Sequence, residues 1–460
     1  MQHHVPQQEA APYRAFTRRD IDRIAALAAL PKEVRDGIRA SAWVLPFRTN
    51  AYVVEQLIDW SRIPEDPIFQ LTFPQPEMLA RHDFERMLAL VQSEASPREL
   101  QAAARDIQLR LNPHPAGQRE LNVPRLPDGS ALSGVQHKYA QTALFFPSRG
   151  QTCHAYCTYC FRWAQFVGID DLKFAAREIE GLLRYVQSQP ELCNVLFTGG
   201  DPMVMRSAVL GAYVEPLLSP ELSQVREIRI GTKAPAYWPQ RFVQDPDADD
   251  LLRLFERVVA SGRHLAVMAH YSHPRELSTP IAEEAIRRIR STGAVVRTQA
   301  PVVRRVNDDA AAWAELWRKQ VQLGAVPYYM FVERDTGPRQ YFELPLVRAH
   351  AIFNEALGQV SGLGRTVRGP SMSATPGKVL IDGVARVHGE RVFVLKFLQA
   401  RDPDWVGRPF FARYDPDATW FDDLRPAFGE REFFFEAQLR SLGHGPRRQL
   451  LLADAAPPAE

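Results

Sequence analysis

Between Thr142 and Arg334, six short apolar runs alternate with segments of helical period, and this alternation restricts the fold more than any other feature of the chain. The runs are TALFFPS, NVLFTGG, EIRIGTKA, HLAVMAHY, AVVRTQAPV and VPYYMFVER. Between them lie DDLKFAAREIEGLLRYVQSQ, DDLLRLFERVVASG, PIAEEAIRRIRSTG and DAAAWAELWRKQVQLG. Strands that alternate with helices pair in parallel through right-handed crossovers. Six such units make a sheet that curls like a barrel without closing as the eight-unit form does. In such sheets chemistry gathers on the loops leaving the C-terminal ends of the strands.

The flanking regions read differently. From about Phe16 to Gln108 the pattern is mainly helical. FTRRDIDRIAALAAL opens with Thr17 and Asp20 at capping-box spacing and stops before Pro31, while ARHDFERMLALVQS and SPRELQAAARDIQLRL repeat the helical interval. The Pro-, Gly- and Asn-rich stretch NPHPAGQRELNVPRLPDGSALSG breaks that rhythm as a linker does. After the last run come RVFVLKFL, RPFFARY and EREFFFEAQL, whose aromatic content suits a strand-rich cap over its own core or an interface. The tail ADAAPPAE is expected to be disordered. The expected organisation is a helical N-terminal extension over 1–130, the α/β sheet over 131–345, and a C-terminal α+β cap over 346–460.

A formal net charge of +2 gives no electrostatic reason to expect nucleic acid or an anionic membrane as partner. No apolar run reaches the roughly 18 residues that span a bilayer, and the N-terminus does not read as a secretory signal. A cytoplasmic location is the expectation. The chain has four cysteines, and three of them, Cys153, Cys157 and Cys160, crowd into QTCHAYCTYCFRWAQ. That is too few and too uneven for a disulfide framework, and in a reducing compartment it points to metal or redox chemistry. Three thiolates can hold three irons of a four-iron cluster and leave the fourth iron open to a ligand. The alternatives are zinc, with His154 or a distant histidine completing the set, or core thiols; zinc motifs usually arrive as two spaced pairs, and no second pair follows. Cys193 stands alone before a predicted strand and reads as a buried small hydrophobe.

The CxxxCxxC spacing with Tyr159 before the third cysteine resembles the radical S-adenosylmethionine superfamily. That resemblance implies a partial six-unit (β/α)6 barrel and a [4Fe-4S] cluster on Cys153, Cys157 and Cys160. The open iron would chelate S-adenosylmethionine, which is then cleaved reductively to a 5′-deoxyadenosyl radical. FTGGDP resembles the glycine-rich segment that meets the methionine amino group, which singles out Gly199, Gly200 and Asp201. A Gly-Gly-Asp turn alone would equally serve as a tight strand-to-helix turn.

Further segments resemble the lysine 2,3-aminomutase family from about Tyr52 to Lys378, in the family's order: LIDWSRIPEDPIFQLTFP, HKYAQTALFF, RIGTKAP, AHYSHPRE, RRVNDD and VPYYMF. The family moves an amino group from Cα to Cβ. The hydrogen on that unactivated carbon yields to a radical and not to acid–base catalysis at neutral pH, and pyridoxal 5′-phosphate carries the nitrogen. The resemblance implies an enzyme lysine that holds this cofactor as a Schiff base, and Lys378 in GPSMSATPGKVLIDG is the candidate, although Thr375-Pro376-Gly377 stands where the family has several glycines. Lys233 matches an arginine of the family and is the weaker rival, expected to be a charge partner. Lys138 matches a basic contact to the cofactor phosphate, and a second family arginine four residues on is Thr142 here. Arg162 matches the arginine that pairs with the substrate α-carboxylate, and His270 and Gln299 match contacts in the nucleoside and cofactor region.

Two aspartates bind the distal ammonium in the lysine enzymes. Ser371 occupies one of these positions; Arg334, or Asp335 if the alignment slips by one, occupies the other. An arginine there repels an ammonium and attracts a carboxylate, so the expected substrate is a small acidic amino acid such as glutamate. The resemblance also implies an electron donor such as flavodoxin or ferredoxin. The zinc-binding cysteines that join subunits in the lysine enzymes are missing, so a homo-oligomer must use other contacts. The competing readings are a lysine 2,3-aminomutase, a radical enzyme without pyridoxal phosphate that acts on a peptide or another substrate, and a degenerate relative serving as a binding scaffold.

Overall fold

The computed structural model describes residues 13–126 and 129–442; the tail expected to be disordered lies outside the described residues. Near the N-terminus, β1 (Ala15–Thr17) pairs antiparallel with β2 (Arg48–Asn50). The remaining strands form one sheet, in which spatial order follows chain order. They are β3 (Val135–Tyr139), β4 (Thr142–Phe145), β5 (Asn194–Phe197), β6 (Glu227–Thr232), β7 (His264–His270), β8 (Val295–Val302) and β9 (Val326–Val332). Beyond these lie β10 (Arg368–Ser373), β11 (Gly377–Val387), β12 (Glu390–Ala400) and β13 (Pro409–Arg413). The six apolar runs are β4 to β9, and all five of their pairings are parallel. The fold is α/β. β10 joins β9 in parallel after the helix Leu346–Gly358, β3 joins β4 antiparallel, and β11 to β13 form an antiparallel meander. Strand pairing thus continues across residue 346.

Local sequence explains the regular crossovers. Thr279 caps the helix Pro280–Ser291 through the Ala282 amide, and Asp309 caps Ala310–Gln322 through the Ala312 amide at 2.8 Å. The helix Ala248–Ala260 turns Leu251, Leu252, Leu254, Phe255 and Val258 inward. With helices over the sheet, β7 is buried at all but its two ends, as expected for a parallel strand.

Two helical expectations are corrected. The Thr17/Asp20 capping box forms, with Asp20 accepting from the Thr17 amide at 3.0 Å, but it opens a 3-10 segment, Arg18–Arg23, and the chain is extended at Ile24 before one α-turn, Ala25–Ala28. Ile21, Ile24 and Leu27 are all buried, and their three-residue spacing matches the tighter helix. In DDLKFAAREIEGLLRYVQSQ only Glu180–Gln187 is α-helical after a 3-10 turn at Asp170–Leu172. The middle is drawn out because Ala176 bonds to the chain leaving β4: its amide reaches the Phe146 carbonyl at 2.9 Å, and its carbonyl accepts from Ser148 at 2.7 Å.

The sheet curls until its ends meet. Lys138 on β3 donates through Nζ to the Ala374 carbonyl just after β10. Arg401, one residue past β12, donates to Asn122 Oδ1 at 2.6 Å and to the Leu121 carbonyl at 3.3 Å. The aromatic C-terminal residues close on a separate core containing Phe397, Phe410, Phe421, Phe433 and Phe435. Among the described residues no helix is long and apolar enough to cross a membrane.

Candidate active site

The cysteine loop leaves the C-terminal end of β4, and the N-terminal extension holds it in place. Tyr156 donates its amide to the Arg48 carbonyl at 2.8 Å, and Thr158 bonds to the Leu71 and Gln70 carbonyls at 2.9 and 2.7 Å. Tyr13 and Asn50 both donate to the His154 carbonyl. From the other side, the Asp201 amide donates to the Gly150 and Thr152 carbonyls at 3.0 and 2.7 Å.

The two glycines before Asp201 make this contact feasible. A Cβ on Gly200 would stand 2.4 Å from the Thr152 backbone, and one on Gly199, at φ +141°, would stand 2.1 Å from Gln151 Nε2. In this structure Gly199 and Gly200 therefore clasp the cysteine loop, and Asp201 caps the following turn. Its carboxylate accepts from Thr232 Oγ1, the Met203 amide and the Lys233 amide at 2.7 to 2.9 Å. Burial outweighs those bonds and lifts its pKa to about 6.

All four cysteines are free. Removal from water raises the pKa of Cys153, Cys157 and Cys160, that of Cys160 to about 12; Asp201 and then the other two thiols push Cys153 further up, and Cys157 does the same to Cys160. A bound cation reverses that preference. Among the described residues no three Cys, His, Asp or Glu side chains converge on a position for one metal ion. A four-iron cluster asks each thiol to meet a different iron. His154 is buried, with Nδ1 unpartnered and its pKa driven down to about 3 by loss of water. Cys193 corrects an expectation: it is partly exposed at the foot of β5, at the opposite end from the loop. A cavity of about 840 Å³ between Tyr13, Arg48, Trp238 and Arg241 reaches Cys153.

Along β6 to β8, the polar candidates pair with one another. Lys233 Nζ lies 2.7 Å from Glu276 Oε1, a carboxylate with 0% exposure, and 4.4 Å from the Tyr237 ring, so it is the charge partner expected of it. His270 Nε2 and Gln299 Nε2 are 2.8 Å apart across the β7–β8 register, and burial lowers the His270 pKa to about 3.

The other candidates have no such partners. Arg162 is buried with Nε unbonded, its guanidinium 4.0 Å above the Phe146 ring, and burial lowers its pKa to about 10. Arg334 lies 5.2 Å above the Phe161 ring, also with an unbonded Nε, whereas Asp335 is turned to Asn112. Arg334 is among the charges that depress both Arg162 and Lys138. Ser371 is fully buried and its Oγ has no partner. Lys378, second residue of β11, holds Nζ 4.0 Å from the Tyr329 ring, and burial, then Arg229 and Arg368, lowers its pKa to about 7. Among the described residues none of Arg162, Arg334, Lys138, Lys378 and Arg401 forms an ion pair with a carboxylate.

Two groups escaped the sequence reading. Glu333 is buried beside Arg334, and loss of water holds its carboxyl well above the usual range while the Arg334 charge pulls it back down. Arg401 bonds to the Thr375 carbonyl at 2.9 Å. Glu333 sits inside a quoted run and gave no signal beyond being a charge at a strand end. Arg401 is 23 residues past Lys378 and is brought near only by the β11–β12 hairpin.

No family model matches the chain. It is 30% identical over 402 residues, 87% of this chain and 93% of the relative, to an Aquifex aeolicus protein named "Putative L-lysine 2,3-aminomutase". A second Aquifex aeolicus protein of that name is 26% identical over 77% of this chain and 82% of its own length. The L-lysine 2,3-aminomutase of Fusobacterium nucleatum is 25% identical over 235 residues, 51% of this chain and 52% of that protein. Among solved structures, a radical SAM methyltransferase from Sphaerobacter thermophilus matches with a TM-score of 0.35 and 16% identity, covering 53% of this chain and 71% of that one.

Proposed function

The chain belongs to the lysine 2,3-aminomutase family of radical S-adenosylmethionine enzymes, and on that premise we propose that it is a pyridoxal-phosphate-dependent amino acid 2,3-aminomutase acting on a small acidic amino acid, glutamate being the type. The enzyme is a radical isomerase; the cofactor residues and the substrate are our reading. The observation that carries it is the group of buried or recessed cations, Arg162, Arg334, Lys138 and Lys378, with no carboxylate partner among the described residues. A buried charge without a partner is costly, and an anionic ligand relieves that cost.

The donor set fits the family's cofactors. Cys153, Cys157 and Cys160 would hold a [4Fe-4S] cluster, whose chemistry with S-adenosylmethionine supplies the radical that removes a substrate hydrogen. Lys378 would hold pyridoxal 5′-phosphate, which supplies a carrier for the migrating nitrogen. The lowered pKa of Lys378 gives it an appreciable neutral fraction at pH 7, the form in which an amine is a nucleophile. Arg162 offers a two-pronged donor to the α-carboxylate beside the third cysteine. Arg334, with the unbonded Ser371 hydroxyl as a further donor, suits a second carboxylate. Gly199, Gly200 and Asp201 act through the cysteine loop, and the His270–Gln299 pair presents a fixed polar surface beside Tyr329. The cavity at Cys153 suits reduction by an external one-electron carrier such as flavodoxin or ferredoxin. We assign the family's partial (β/α)6 barrel to 131–345, with 1–130 as extension and 346–460 as cap; the contact of Lys138 with Ala374 supports this by closing the open side.

Lysine is the second reading, favoured by the names of the relatives. Turnover of glutamate, aspartate, lysine and alanine by the reconstituted enzyme separates the two. We expect glutamate to be converted and lysine to be poor. Arg334→Asp should shift the ratio toward lysine by about a hundredfold or more, because a like-charge contact costs several kcal/mol. Robust β-lysine formation with glutamate inert refutes the acidic reading.

A further inference from the structure

We infer that Arg401, at the far end of β12, forms with Lys138 the anchor for the phosphate of the cofactor carried by Lys378; this rests on the pyridoxal-phosphate reading above. Residues 374–377 turn the chain from β10 into β11, and three cationic side chains from three strands gather on that turn. Lys138 Nζ donates to the Ala374 carbonyl. Arg401 Nε donates to the adjacent Thr375 carbonyl at 2.9 Å, and its backbone amide donates to Pro376 at 3.0 Å. Lys378 is the next residue but one. The turn is pressed onto the strand that delivers Arg401: a Cβ on Gly377 would stand 2.4 Å from the Gln399 carbonyl. The arginine therefore has little freedom to leave.

Among the described residues, every hydrogen-bond and ring partner of these three side chains is neutral. Arg401 gives its other donors to the Leu121 carbonyl and to Asn122 Oδ1, Lys138 lies 5.5 Å from the Tyr139 ring, and Lys378 faces Tyr329 and Phe331. Neutral acceptors satisfy hydrogen bonds without cancelling charge. Burial and then the charge of Arg401 hold the Lys138 pKa well below its ordinary value, and burial lowers that of Arg401 to about 10. A phosphate monoester carries about two negative charges and several acceptor oxygens, the complement that two cations at one turn lack. Thr142, on the strand beside Lys138, offers no charge. The second cation comes instead from the cap.

The alternative role for Arg401 is a clip that joins the cap to the linker, and one comparison separates the two roles. Equilibrium dialysis of the full-length protein is run with pyridoxal 5′-phosphate and with pyridoxal, which has the aldehyde without the phosphate. Arg401→Gln should weaken pyridoxal 5′-phosphate about tenfold to a hundredfold and leave pyridoxal within about twofold, and Arg401→Lys should recover part of the loss. Equal weakening of both ligands, or of neither, overturns the inference. Wild-type protein gives a check that no folding defect can confuse: inorganic phosphate should compete with pyridoxal 5′-phosphate and not with pyridoxal. Failure to compete also overturns it. If wild-type protein binds neither aldehyde, the pyridoxal-phosphate reading itself falls; if it binds both equally, the reading stands and the anchor does not.

Discussion

At the ends of β5 to β8 the buried polar groups answer one another: Asp201 with Thr232 and two amides, Lys233 with Glu276, His270 with Gln299. On the loop after β4 and where β3 meets β9 to β12, Arg162, Arg334, Lys378 and Ser371 face no such partners, and Lys138 has only the neutral Ala374 carbonyl. Both regions carry candidates picked from motifs, yet only in the second does folding leave charge unanswered. A satisfied group shapes the site, whereas an unanswered one waits for a ligand. Experiments that remove one group at a time should therefore act in opposite ways in the two regions.

The largest expected effect falls on the thiols of the β4 loop, which the first region clasps through Asp201 but which belong in character to the second. Serine at Cys153, Cys157 or Cys160 should abolish the visible absorbance and iron content of anaerobically reconstituted protein, together with cleavage of S-adenosylmethionine. Cys193→Ser, at the other end of β5, should retain all three. A full iron complement in any of the first three variants breaks the assignment of the loop.

Next comes a pair of substitutions that test the contrast through stability of the cofactor-free protein. Glu276→Gln leaves Lys233 charged and unpaired in a buried site and should cost about 3–5 kcal/mol. Arg162→Met removes a charge that was already unpaired; it gives up the contact with Phe146 and should change stability by about 1 kcal/mol or less, or raise it. Denaturant midpoints measure both. Similar losses in the two variants would mean that Arg162 has a partner after all and that the regions do not differ.

How far the chain could be read before folding follows the same division. The six parallel strands were legible because each is short and apolar and four of the five connections between them carry a period of 3.6, and the cysteine loop and FTGGDP fell at the C-terminal ends of β4 and β5. The 3-10 turn after Thr17 was not, because Ile21, Ile24 and Leu27 fit both helical periods. Nor was the extended chain at Ala176, which is fixed by a partner 30 residues away. Motif reading singled out Arg162, Arg334, Lys138 and Lys378 by position, but that Gly199 and Gly200 clasp Gln151 and Thr152 depends on a contact between two loops. Glu333 and Arg401 were missed for the same reason: a charge has no meaning in sequence until its neighbours are known.

The smallest expected effect concerns the pH dependence of that unanswered charge. Burial, with Arg229 and Arg368, lowers the Lys378 pKa to about 7, while in the unfolded chain the amine titrates near the ordinary value of about 10.4. Between those values the unfolded state binds more protons, so Lys378 makes the cofactor-free protein gain stability as pH rises. Its penalty is complete below about pH 7 and is gone above about pH 10. Lys378→Met should therefore be more stable than wild type at pH 6, with the advantage shrinking by pH 9, while Lys233→Met, which strands Glu276 in the paired region, should be less stable at both. Denaturation of the three proteins at the two pH values measures this directly. A constant gap between wild type and Lys378→Met would mean that the Lys378 ammonium already has a counter-charge, and the contrast between the two regions would be lost at the residue proposed to hold the cofactor.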